Sequence, residues 1–156
     1  MKHGSIWAWG APLLLLAACN PDVEQTSGTG TQPLNRGDVV NSRELVQPVV
    51  IGDSGPRFGA CQWTGLVRPV SGDGVLEVRA APFEEARQVG SLTNGDQIFV
   101  CGRSHDQRWF AVVYAASGEL SGTCGVSSPI SARRRYEGPC ESGWVSSAFI
   151  QLRATN

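Results

Sequence analysis

Lysine is nearly missing from this chain. Of its 13 basic residues 12 are arginines, and Lys2 is the only lysine. Against 14 carboxylates, the arginines leave the chain beyond residue 18 with a net charge of −2. That balance excludes the broad positive field by which proteins bind nucleic acid or an anionic membrane surface in general. Histidine is also scarce, and beyond the N-terminal segment His105 stands alone. No apolar run reaches the roughly 20 residues that a bilayer-spanning helix needs. No two cysteines lie within four residues of each other, so the short Cys-x-x-Cys type of pair that advertises zinc is lacking. Sustained helical periodicity and internal repeats are lacking too. Glycine, at 19 residues, is abundant, and short alternating stretches with turn signals dominate, which points to a small all-β domain.

The N-terminus is organised differently. Lys2 and His3 form a short polar head, and Ile6 to Leu16 form an apolar stretch containing Leu13 to Leu16. Its length suits the hydrophobic region of an export signal. Leu16-Ala17-Ala18-Cys19 resembles the lipobox of bacterial lipoproteins. The resemblance implies cleavage after residue 18, a diacylglycerol on Cys19, an acylated new N-terminus, and stable anchoring by several acyl chains. Asn20 instead of Asp leans the expectation towards the outer membrane, with the protein facing the periplasm.

With Cys19 given to lipid, Cys61, Cys101, Cys124 and Cys140 remain. Four cysteines in an oxidising envelope predict two disulfides, with three possible pairings. The polar loop between Cys124 and Cys140 favours joining those two, worth about 3 kcal/mol through loop closure. Cys61 with Cys101 then follows.

Residues 19–57 are expected to form the anchor and tether. Pro21 to Pro33 has no apolar periodicity and is expected to be disordered. Val39 to Ile51 has more apolar residues and could form an edge strand or a strap against the domain. Arg36-Gly37-Asp38 looks like an integrin motif, but in a short linker it is read as chance. The folded domain is assigned to 58–156. Its strands are expected around Gln62 to Val70, Val75 to Ala80, Val89 to Leu92, Gln97 to Cys101, Arg108 to Tyr114, Gly143 to Val145 and Phe149 to Leu152, with a turn of helix at Ser146 to Ala148. Alternation puts Leu76, Val78 and Ala80 on one face. It puts Phe110, Val112 and Tyr114 opposite Trp109, Ala111 and Val113. Asn94-Gly95 is a strong turn signal.

Four of these stretches, in order, resemble the bacterial SH3-like domain family. They are Leu76-Glu77-Val78-Arg79-Ala80-Ala81-Pro82, Val89-Gly90-Ser91-Leu92-Thr93-Asn94-Gly95-Asp96, Trp109-Phe110-Ala111-Val112 and Gly143-Trp144-Val145-Ser146-Ser147-Ala148-Phe149-Ile150. The likeness covers about residues 74–152, half of the chain. It implies a small SH3-like barrel of about five to six short strands, and contact with peptidoglycan stem peptides or envelope proteins. Two departures stand out. A 27-residue insertion, Ala115 to Glu141, carries Cys124 and Cys140, and Phe149 stands where the family has Tyr. The insertion is expected to cover or rebuild the binding surface of relatives.

Cys101 and His105 could form a thiol–base pair, but catalysis needs a free, activated thiol, and a disulfide cysteine beside a loop histidine is the plainer account. Ser104-His105-Asp106 spells a triad in a row, yet consecutive side chains cannot converge as a relay. No metal and no cofactor is implied. Arg133-Arg134-Arg135-Tyr136 is the one charge cluster, suited to phosphate or carboxylate, or simply solvated. The candidate ligand set is Trp109 and Trp144 lining a groove, with Phe83, Glu84 and Glu85 beside it and Arg134 and Tyr136 from the insertion. Aromatic rings bordered by acids suit a cationic or amide-rich peptide. The sequence therefore predicts a non-catalytic binding module. The alternatives are an accessory subunit docking an envelope protein through the insertion, and, last, a thiol enzyme.

Overall fold

The computed structural model describes Asn41 and residues 44–154, all within one compact unit, Val39–Asn156. The export signal 1–18, Cys19, the Pro21 to Pro33 stretch and the Arg36-Gly37-Asp38 triplet lie outside the described residues. The architecture is all-β. In chain order the strands are β1 (Val50–Ile51), β2 (Trp63–Val67), β3 (Val75–Arg79), β4 (Gln88–Thr93), β5 (Gln97–Arg103), β6 (Trp109–Tyr114), β7 (Arg134–Arg135), β8 (Glu141–Ser146) and β9 (Ile150–Ala154). Seven form one sheet in the order β4-β3-β8-β6-β5-β2-β9, and β1 pairs with β7 apart from it. All pairings are antiparallel. Two 3₁₀ turns, Gly122–Cys124 and Ser147–Phe149, lie between strands.

Two expectations are corrected. The strand count exceeds five to six, and the sheet is not a closed barrel, since β4 and β9 each pair on one side only. The sheet nevertheless curls. Val67, Leu76, Val78, Leu92, Ile98, Val100, Phe110, Val112, Tyr114, Val145 and Ile150, from all seven of its strands, share one core. Side chains facing one side of seven strands can meet only if the sheet bends round them. β3 meets β8 through the single pair Arg79 and Trp144, beside a bulge between Val78 and Arg79, and β5 has a second bulge between Val100 and Gly102. Side chains, not backbone pairing, fill the gap between the edges.

A second core lies on the other face. Phe99, Cys101, Trp109, Ala111, Val113 and Trp144 are covered by Val49, Ile51, Ala60 and Cys61, and by Cys124 and Val126 of the insertion. All six residues of β6 are consequently buried, as the two apolar faces foreseen in its alternation require. Residues 44–51, within the stretch Val39 to Ile51 expected as an edge strand or a strap, form a strap whose last two residues pair as β1. Its Gln47 N–H donates to the Ala80 carbonyl at 2.9 Å, and Val49 accepts from the Tyr136 N–H at 2.8 Å. The disulfides are Cys61–Cys101 and Cys124–Cys140, the favoured pairing. The first ties the chain just after the strap to β5, and the second closes the insertion.

At the β4 edge, Gly90 is dictated by close approach. A Cβ there would collide with the Tyr114 hydroxyl, which is buried and has no hydrogen-bond partner among the described residues. Gly90→Ala is expected to cost about 1–3 kcal/mol through overpacking. Tyr114→Phe alone should cost about 1 kcal/mol at most, since the hydroxyl has only the Glu141 carboxylate beside it and no close hydrogen bond, and it should rescue Gly90→Ala. Urea unfolding of the four variants checks the cycle. Burial first, and the Glu141 carboxylate second, push the Tyr114 phenol above its ordinary 10.0. The unfolded chain therefore loses this proton first as pH rises. Stability is full below pH 10.0 and falls above it. The alkaline fall in the urea midpoint is expected to be shallower in Tyr114→Phe.

Candidate functional site

Two tight connections meet at one end of the sheet. The first joins β5 to β6. Here Ser104 accepts the Trp109 N–H at 3.0 Å and donates to Asp106, which accepts the Arg108 N–H at 3.2 Å. Gln107 takes φ 60°. The Ser104-His105-Asp106 triplet is thus a turn, with Ser104 and Asp106 spent on backbone. The Ser104 hydroxyl first, and the Arg108 N–H second, hold the Asp106 carboxyl below its ordinary value. The turn is pinned from below. Ser147 donates its hydroxyl to the Gln107 carbonyl at 3.0 Å, and its N–H to the Arg108 carbonyl at 2.9 Å.

The second connection joins β3 to β4 and carries Phe83, Glu84 and Glu85. Arg79 anchors it, donating to the Ala86 carbonyl at 2.9 Å while pairing with Glu77. Glu84 reaches across to Arg108 at 3.8 Å, and both side chains are more than 70% exposed. Such a pair contributes ~1 kcal/mol at most and opens readily. It stands between two recesses, one of about 300 Å³ floored by Leu76, Trp109 and Phe149, the other of about 280 Å³ lined by Phe83, Glu85 and Asp106. Glu84, Arg108 and Trp109 belong to both. Together they make one shallow groove with an apolar floor, four carboxylates (Glu77, Glu84, Glu85, Asp106) and two guanidinium groups (Arg79, Arg108).

Of the residues expected from sequence, Trp109, Phe83, Glu84 and Glu85 come together here. Trp144 does not. It is 4% exposed and donates its indole N–H to the Gln47 carbonyl at 2.7 Å, so it holds the strap instead of lining the groove. Both tryptophans are buried in the second core, but Trp144 lies under the strap, which supplies its acceptor, whereas Trp109 sits at the start of β6, beside the loops that border the groove. Tyr136 and Arg134 also stand elsewhere, in a recess of about 330 Å³ inside the insertion. The sequence reading missed Glu77, Arg79 and Arg108. The outward positions of the Leu76/Val78 alternation could have flagged Glu77 and Arg79, whereas the Arg108–Glu84 approach is set by the meeting of two loops. The thiol reading loses its nucleophile, because the Cys101 sulfur is bonded to Cys61, and His105 is exposed. Among the described residues no cluster of three His, Cys, Asp or Glu side chains is placed to hold a metal.

The chain matches no family model, no curated protein and no solved structure.

Trp144→Phe is expected to lower stability by about 1–3 kcal/mol, because it strands the Gln47 carbonyl and trims a buried ring. The same change should leave ligand binding by the groove intact. Urea unfolding beside a binding assay tests both halves.

Proposed function

We propose that this protein is a non-catalytic binding module of the bacterial cell envelope, SH3-like in kind and anchored through lipid on Cys19. Its groove takes peptidoglycan stem peptides. The observation that carries the reading is the Glu84–Arg108 pair between two recesses over a common Trp109 floor. A stem peptide is short and extended and carries carboxylates and an amine. Its amine can take Glu84, its carboxylate can take Arg108, and each charge then exchanges one weak partner for another. The ion pair keeps the empty groove neutral at this point. The apolar floor supplies contact for the peptide's methyl groups, and the charges supply orientation.

Anchoring fits shallow binding. A lipid tether holds the domain near the wall, so a modest intrinsic affinity suffices at the resulting local concentration. The order Leu16-Ala17-Ala18-Cys19 supports the anchor, and Asn20 supports the periplasmic leaflet of the outer membrane. The two disulfides suit an oxidising compartment.

Sedimentation of the full chain with purified sacculi, in a non-ionic detergent, tests the reading. Saturable binding is expected, weakened about tenfold in the Glu84→Gln, Arg108→Gln double variant. Both side chains are exposed, so the fold should stand. An intact chain that stays in the supernatant would sink the peptidoglycan reading and favour an envelope-protein partner docking on the insertion.

A further inference from the structure

The insertion holds a recess that the groove does not use. It measures about 330 Å³ and is lined by Thr123, Gly125, Arg134, Arg135, Tyr136 and Glu137, among others. Its walls are fixed from three sides. The Cys124–Cys140 disulfide closes the loop behind it. The Tyr136 hydroxyl donates to the Cys124 carbonyl at 3.1 Å and accepts the Cys140 N–H at 3.1 Å, so one side chain clamps both ends of the loop. β7 is held to the strap, with Arg134 opposite Ile51 and Arg135 opposite Val50. Gly125, at φ 69°, turns the chain out of the 3₁₀ turn at the rim.

The three neighbouring arginines are treated differently. Arg133 is paired with Asp53. Arg134 and Arg135 are exposed and have no side-chain partner among the described residues. Lack of a partner does not by itself mark a site, since exposed Arg68 and Arg153 share it. What sets Arg134 and Arg135 apart is that both border one preformed recess whose only carboxylate is Glu137. A guanidinium fork offers two parallel donors to an oxyanion. Two forks approaching from different sides match the out-of-plane oxygens of a tetrahedral phosphate better than a flat carboxylate. The disulfide and the tyrosine clamp already hold the backbone of the recess, so the ordering cost of filling it falls on the two arginine side chains.

We propose that this recess binds a phosphate group, either free or on a lipid headgroup, with Arg134 and Arg135 as its ligands. The Thr123 hydroxyl, which shares a 2.7 Å hydrogen bond with that of Ser121, lies at the same rim. The proposal stands apart from the peptide groove, with which the recess shares no residue.

The test is a nuclear magnetic resonance titration of the full chain in a non-ionic detergent, following the arginine Nε–H signals and the Gly125 amide. The probes are inorganic phosphate and a soluble short-chain phosphatidylglycerol, with chloride at matched ionic strength as the control. Saturable shifts at Arg134, Arg135 and Gly125 are expected with at least one probe. Affinity should fall about tenfold in Arg134→Gln, Arg135→Gln and should be unchanged in Arg153→Gln. Tighter binding of the phosphatidylglycerol would assign the site to a lipid headgroup, and tighter binding of inorganic phosphate would assign it to a free phosphate. Equal shifts with chloride, equal losses in Arg153→Gln, or no saturation with either probe would overturn the proposal.

Discussion

The structure depends on three strands that are apolar on both faces. β5, β6 and β8 carry Ile98, Val100, Phe110, Val112 and Val145 on one side and Phe99, Cys101, Trp109, Ala111, Val113 and Trp144 on the other. Curling the sheet buries the first set, because all seven strands contribute to that core. Nothing in the sheet can bury the second set. At roughly 25 cal/mol per Å² of apolar surface, leaving two tryptophans and their neighbours in water is costly enough to demand a second layer. The strap and the insertion supply it.

That demand explains features that look unrelated in the sequence. The long connection between β6 and β8 carries β7 and packs Cys124 and Val126 into the second core, while its arginines stay outside. The Cys61–Cys101 disulfide fastens the chain following the strap to the middle of β5, and the Trp144 indole fastens the strap itself through Gln47. Covering the outer face leaves the end of the sheet free. There the two tight connections can expose charged tips around the edge of Trp109 without opening either core.

The two candidate sites differ physically. The groove carries charges of both signs on exposed loop side chains, with Glu84 and Arg108 joined by a weak pair, which suits a ligand that is itself zwitterionic. The recess in the insertion carries two guanidinium groups on walls that a disulfide and a hydroxyl clamp hold still, which suits a compact anion. The first gains specificity from charge order along the groove, and the second from preorganisation. Neither needs the positive field that the net charge of the chain excludes.

How much of this was legible follows from the range of each interaction. Alternation, glycine-rich turns and cysteine number are properties of neighbouring residues. They sufficed for the all-β class, the two faces of β6, the Asn94-Gly95 turn and both disulfides. They also brought Phe83, Glu84, Glu85 and Trp109 into consideration, since loop acids next to a strand aromatic are visible in one dimension. Trp109 and Trp144 look alike in sequence, each an aromatic at a strand position with a small or polar neighbour. Only the fold gives one a groove and the other a carbonyl from a segment 97 residues away. The curl of the sheet, the place of the strap and the meeting of Glu84 with Arg108 were likewise decided by tertiary structure. Each depends on contacts between segments distant along the chain, and local pattern carries no term for those.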